Sequence, residues 1–339
     1  MDIITNTLNN YNKIPNILTN LLKNKNFVLF DIETTGLNPH YNKVILIGIL
    51  YLEKHNIIIK QFFCNNSNEE LEMLKSFINS FNNFQLYITF NGSTFDIPFL
   101  NRRFSKYNLD YRIDPYLNFD LYKLVRKNKN LLKLKNCKLK TVEKFLGINR
   151  KDTIDGAESI KLYKKYEISK NNDLKEKILL HNFEDILHLL PTLNIINHID
   201  KDNIINSFPK EFYLHNKVKI RITDYKIEKD FLEVSGRYYG DLDQDFIFYN
   251  HNYNFSLLNQ DNQLKLKLPL LNINANNDKT YSFFNLNELN YKNFNFSKMN
   301  NEEKLKYVVK KGNQIKHSNI YDFIKDFSFH ILKQIYRHQ

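Results

Sequence analysis

The order of elements predicts an α/β protein: a mixed central β-sheet flanked by helices, with a smaller β-rich region at the C-terminal end. Three observations carry this. The first 200 residues read as three strands, a helix, a strand and then a run of helices, an order that suits one layered sheet with strands in both directions. From about residue 210 apolar and polar residues alternate, as in half-buried antiparallel strands. The 339 residues are enough for one large domain and a smaller one, each with its own core.

Residues 1–25 read as a polar N-terminal arm with a short helix from Ile14 to Leu22. Phe27 to Asp31 is a buried strand. Val44 to Tyr51 and Ile57 to Phe63 are β-branched-rich strands, with the polar Glu53-Lys54-His55-Asn56 as the hairpin turn. Asn68 to Phe81 is a helix, because Leu71, Leu74, Ile78 and Phe81 recur at three and four residues and Glu69, Glu70 and Glu72 fill its start. Gln85 to Phe90 is a strand that stops at the turn signal Asn91-Gly92. Ser93 or Thr94 stands where it can cap the next helix. Further helices are predicted over 94–106, 119–127, 140–147, 157–166 and 173–198. A boundary near 200–215 gives domains of about 26–205 and 206–339. In the second, Val218–Ile222, Phe231–Val234 and Leu264–Leu268 alternate as strands. The Asn-rich 250–263 and 271–300 read as loops or hairpin turns. Ile320–Tyr336 is an amphipathic helix with Phe323, Ile324, Phe327 and Ile331 on one stripe. The many Tyr and Phe of this region are expected in its core rather than as exposed platforms for bases.

Composition narrows the function classes. No apolar run reaches the roughly 18 residues of a membrane span, and the N-terminus lacks the basic start and apolar stretch of a signal peptide. Cys64 and Cys137 make neither a CxxC nor a zinc pattern, so both are expected as free thiols in a cytoplasmic protein. The formal net charge of +12 favours phosphate polymers as partners.

Chemistry concentrates in three segments. In Phe27-Val-Leu-Phe-Asp31-Ile-Glu33 the two acids stand two apart, so they share one face of a strand. Adjacent carboxylates repel unless a cation joins them, and an all-oxygen set suits Mg²⁺ or Mn²⁺. Asp96 follows the Asn91-Gly92 turn at the start of a helix, within reach of the same sheet edge. His181 and Asp185 are four apart in Leu180-His181-Asn182-Phe-Glu184-Asp185, so they share a helix face. Glu184 points elsewhere and is expected to be structural or solvated. Asp120 is expected as a helix N-cap.

These three segments resemble the exonuclease motifs of the DEDD superfamily, the ribonuclease H-like 3′–5′ exonucleases, and most of all their YprB-like branch. Asn118-Phe-Asp120, Lys138-Leu139-Lys140, Leu146-Gly147-Ile148 and Asp155-Gly156 also resemble that branch. The resemblance covers about residues 25–200. It implies a ribonuclease H-like fold with Asp31, Glu33, Asp96 and Asp185 holding two divalent ions. It implies His181 as the group that positions or deprotonates the attacking water. Thr34, Thr35, Gly36, Leu37 and Asn91 are implied to touch the terminal nucleotide. One departure is plain: the family places a Tyr four residues before the last Asp, or a His five before it, whereas here His181 stands at the four-residue spacing and residue 180 is Leu.

The implied activity is metal-dependent 3′–5′ hydrolysis of single-stranded DNA or RNA to nucleoside monophosphates. Two other readings stand beside it: a nucleic-acid-binding module without activity, and a ribonuclease H-type structure-selective endonuclease. The latter group takes its second acid from a helix, whereas Glu33 lies on the strand of Asp31. Leu121 to Lys140 holds eight basic residues and no acid, so Lys123, Arg126 and Lys127 are candidates for the phosphate backbone, with Arg102 and Arg103 behind them. Tyr239-Gly240-Asp241-Leu242-Asp243 resembles the metal-binding turn of family B polymerases, but the chain is too short to hold a polymerase domain as well.

Overall fold

The computed structural model describes residues 1–9, 14–23, 25–54, 56–215, 218–240, 242, 244–249, 251–275, 279–289, 291 and 304–335. The chain forms two compact units, Met1–Ser207 and Phe208–Gln339.

Among the described residues the first unit is built on six strands: β1 (Asp2–Leu8), β2 (Phe27–Thr34), β3 (Val44–Glu53), β4 (Asn56–Phe63), β5 (Leu86–Thr89) and β6 (Asn118–Asp120). Their order is β1-β4-β3-β2-β5-β6. β1, β4, β3 and β2 run antiparallel to their neighbours, while β5 and β6 are parallel to β2 and to each other. The sheet is therefore mixed, as expected. The N-terminal arm is a correction: Asp2–Leu8 is an edge strand paired along its length with β4. Its apolar residues, Ile3, Ile4 and Leu8, are too few for the pattern to announce a strand, and the exposed edge of β4 recruits it.

Among the described residues eight α-helices accompany the sheet: α1 (Asn16–Leu22), α2 (Glu70–Phe81), α3 (Asp96–Lys106), α4 (Leu121–Lys127), α5 (Leu139–Phe145), α6 (Gly156–Ser169), α7 (Asn172–Thr192) and α8 (Lys201–Ser207). The helix predicted over 173–198 stops at Thr192 and continues as a 3₁₀ segment to His198, with Pro191 in its last turn. Successive β2 residues face opposite ways. Val28, Phe30 and Ile32 pack with Met73, Phe77 and Phe81 of α2 and Leu100 and Phe104 of α3. On the other face Ile45, Leu46 and Phe63 pack with Tyr163, Tyr166 and Ile178 of α6 and α7. Asp31 and Glu33 thus belong to the α6/α7 side. Among the described residues no helix is long and apolar enough to cross a membrane.

The second unit holds β7 (Lys210–His215), β8 (Val218–Glu228), β9 (Phe231–Tyr239), β10 (Phe246–Tyr249), β11 (Asn254–Leu258), β12 (Gln263–Ala275), β13 (Lys279–Phe284), β14 (Val308–Lys311), β15 (Gln314–Ile315) and α9 (His317–Ile335). All described pairings are antiparallel. Much of the Asn-rich sequence is strand rather than loop: β11, the end of β12 and β13 lie in it. Their inward residues, among them Phe255, Leu270 and Phe284, bury against Ile320, Phe323 and Phe327 of α9, and burial outweighs the weak strand propensity of Asn. Most described Tyr and Phe here are core or packed against it, with Tyr213, Phe231 and Tyr249 as exposed exceptions. Asp241 and Asp243 of the polymerase-like turn lie outside the described residues.

Candidate active site

β5 accompanies β2 only from Phe27 to Leu29, so the β2 edge is open where Asp31 and Glu33 stand. Asp96, at the start of α3, fills the gap: its Oδ1 accepts the Ile32 N–H at 3.1 Å. The turn before it is held by Asp120. That carboxylate accepts the N–H of Asn91 (2.8 Å), Ser93 (3.0 Å) and Tyr122 (3.1 Å). It caps α4, as expected, and also fixes the Asn91 turn, where Asn91 takes φ +74°, a left-handed conformation Asn tolerates. Neither Ser93 nor Thr94 caps α3. Thr94 Oγ1 turns back to Asn91 Oδ1 at 2.6 Å, and Ser93 Oγ accepts from Asn118 at 3.0 Å.

On the other side α7 crosses β2 and β3 at Gly48, the residue paired with Asp31. A Cβ on Gly48 would stand 1.8 Å from Ile186 Cδ1 and 2.3 Å from Asn182 Oδ1. The missing side chain lets α7 come close enough for Asn182 Nδ2 to donate to Asp31 Oδ2 at 3.1 Å. Gln61 on β4 fixes Asn182 in turn, donating to its Oδ1 at 3.0 Å. One turn along, α7 brings His181 and Asp185 over Glu33. His181 Nε2 lies 3.5 Å from Glu33 Oε1 and 3.7 Å from Asp185 Oδ2. One ligand atom from each of these three residues fits within a 4.8 Å span.

Asp31, Glu33, Asp96, His181 and Asp185 all line one cleft of about 680 Å³. Thr34, Leu37 and Asn91 line it too, and Leu37 is 78% exposed. Lys138-Leu139-Lys140 and Asp155-Gly156-Ala157 are also part of its lining. Thr35 and Gly36 stand back from the cleft: Thr35 Oγ1 donates to Asn42 Oδ1 and accepts from the Lys43 N–H within the 35–43 loop. Lys123, Arg126 and Lys127 lie on the exposed side of α4, also away from it. Arg103 is a correction. It is fully buried and bonded through two nitrogens to Glu70 at 2.7 and 2.6 Å, so it is a core ion pair. A roomier surface cleft of about 800 Å³, lined by Arg102, Tyr111 and Arg112, contains one acid, Asp110, and no histidine. Chemistry rather than size marks the site.

The electrostatics are those of crowded, dehydrated acids. Loss of water pushes Asp31 well above the usual carboxylate range, and the charges of Asp96, Asp185 and Glu33 add to it. Burial lifts Glu33 to about 7, with His181 pulling the other way. Asp96 also rises to about 7 through burial, against the N–H of Ile32. Burial alone would lower His181, but the carboxylates of Asp185, Glu33 and Asp152 outweigh it and raise the ring. An oxygen-rich set whose charges repel is one that a divalent cation would fit.

Two residues beside the site give no sequence signal. Arg150 binds Glu143 through Nε and Nη2, both at 2.5 Å, and its Nη1 donates to Asp185 Oδ1. Asp152 Oδ2 lies 2.8 Å from His181 Nδ1, within hydrogen-bond distance. Both sit in a short loop between Ile148 and Asp155 that no periodicity ties to α7. Glu184 does so in the structure, accepting the N–H groups of Lys151 and Asp152, which is its structural role.

Residues 28–197, half of the chain, match the family described as the RNase_H superfamily. The chain belongs to the RNase_H superfamily. All five clustered residues of this RNase_H-superfamily chain lie inside the matched span, and the DEDD-type likeness of its three motifs stands within that membership. Two curated relatives are PolC-type DNA polymerases III. That of Ureaplasma parvum is 27% identical over 128 residues, 31% of this chain and 9% of the relative. That of Mycoplasma pneumoniae is 29% identical over 122 residues, 29% of this chain and 8% of the relative. The chain thus spans under a tenth of their length. Among solved structures, the family B DNA polymerase of Pyrobaculum calidifontis overlays at TM-score 0.40 and 16% identity, covering 62% of this chain and 34% of that one. E. coli exonuclease I in complex with a dT13 oligonucleotide overlays at TM-score 0.33 and 13% identity, covering 62% and 55%. Overlays this shallow assign no residue.

Proposed function

We propose that the protein is a cytoplasmic, metal-dependent 3′–5′ exonuclease that hydrolyses single-stranded DNA or RNA to nucleoside monophosphates. The observation that carries this is the convergence of Asp31, Glu33, Asp96, Asp185 and His181 on one cleft. Asp31, Glu33, Asp96 and Asp185 would hold two Mg²⁺ or Mn²⁺ ions. Bound there, the ions would supply positive charge to the non-bridging and leaving oxygens and acidify the attacking water. Thr34, Leu37 and Asn91 receive the terminal nucleotide. Lys138 borders the cleft, and Lys123, Arg126 and Lys127 on α4 are assigned to phosphates further along the strand. His181 Nε2 takes the proton of the water. The water oxygen bonds to phosphorus, the bond from phosphorus to the preceding 3′ oxygen breaks, and that oxygen acquires a proton from solvent.

One observation favours a second reading, binding without hydrolysis: the Arg150 charge already sits on Asp185. The experiment that separates the two uses 5′- and 3′-labelled DNA and RNA oligonucleotides with Mg²⁺, Mn²⁺ or EDTA. Exonuclease action gives a stepwise ladder from the 5′ label that disappears with EDTA and in Asp31→Ala. Retention of uncut oligonucleotide whatever the metal would establish the second reading.

A further inference from the structure

We propose that Asp152 is the positioning residue of His181, fixing which ring nitrogen carries the proton. The inference rests on the nuclease reading of the cleft. A neutral imidazole has two tautomers, and only the one protonated at Nδ1 leaves a lone pair on Nε2. Nε2 is the nitrogen that faces Glu33 and Asp185. Nδ1 faces the opposite way, to a carboxylate oxygen at 2.8 Å. A carboxylate only accepts hydrogen bonds when ionised, so this contact selects the Nδ1–H form.

Asp152 is built to stay put. Its side chain is 3% exposed. Its Oδ1 accepts the Ile154 N–H at 2.9 Å, and Oδ2 accepts Lys140 Nζ at 3.2 Å besides His181. Its own N–H donates to Glu184 at 2.7 Å. Glu184 lies three residues after His181 on the same helix, so α7 holds both the ring and the loop that orients it. Histidine and carboxylate therefore move as one body, as in other sites where a third group orients the base.

The test substitutes Asp152→Asn, which keeps the oxygen for Ile154 and turns an NH₂ toward Nδ1. Nitrogen-15 NMR of ring-labelled histidine at about pH 9, with His181→Ala giving the assignment, should show His181 protonated at Nδ1 in the wild type and at Nε2 in Asp152→Asn. With oligonucleotide substrate and Mg²⁺, Asp152→Asn should lose about 100-fold in kcat, the scale of general-base catalysis, with KM little changed. In a His181→Ala background the same substitution should cost nothing further. An unchanged tautomer in Asp152→Asn, or losses that multiply in the double variant, would overturn the proposal. If the wild type cleaves nothing, the nuclease reading fails by itself, and the tautomer still decides the pairing.

Discussion

Each acid of the cleft is ordinary alone; their proximity is what changes their chemistry. Glu33 and Asp96 titrate near 7 instead of near 4. Their folded pKa values lie above the unfolded ones, so the folded state holds more protons between about pH 4 and 7. These groups therefore favour folding at low pH and lose that contribution as pH rises through 7. Metal-free protein should lose thermal stability from pH 5 to 8 on their account, and Mn²⁺ should restore it. Calorimetric titrations in buffers of different ionisation enthalpy should find protons released on Mn²⁺ binding at pH 6 and fewer at pH 8. Constant proton release across that range would contradict the raised values. Arg150 is the second residue-scale case. Its side chain is 7% exposed and Glu143 is 1% exposed. Arg150→Ala leaves that glutamate buried and unpaired and should cost about 3 kcal/mol in urea unfolding. A loss under about 1 kcal/mol would mean that water reaches Glu143 freely.

At the scale of elements, the site depends on how closely α7 lies on β2 and β3. Gly48 sets that distance. Gly48→Ala should push Asn182 and Ile186 outward, cost about 1–3 kcal/mol of stability, and weaken Mn²⁺ binding through the displaced Asp185. Equal Mn²⁺ affinity in this variant, measured by calorimetry, would show that α7 accommodates the methyl without moving. Nothing in Val44-Ile-Leu-Ile-Gly48 distinguishes this glycine from one in any buried strand, because its meaning lies in the helix opposite. The helices themselves were legible wherever an apolar stripe repeated, as in α2. Their ends were less so: Ser93 and Thr94 stand where caps belong, but Asp120, 27 residues beyond Ser93, holds the turn they belong to.

At the scale of the whole molecule the two units have separate cores. The fragment 1–207 should fold alone, with a cooperative thermal transition and Mn²⁺ binding like that of the full chain. Loss of the near-UV signal and of the cooperative transition in the fragment would show that the second unit is needed for the first. The sequence alone determined the longer helices and the central strands of the first unit, its mixed sheet, and the placing of Asp31, Glu33, Asp96, His181 and Asp185 on strand and helix edges. Those follow from periods of two and of 3.6 residues, which are local. The edge strand β1, the loop bearing Arg150 and Asp152, the Gly48 crossing and the burial of Arg103 were decided only by tertiary structure. Each depends on residues far apart in the chain meeting in space. No local period records a partner 30 or 150 positions away, and it is those partners that set the charge, the tautomer and the reach of the groups the sequence names.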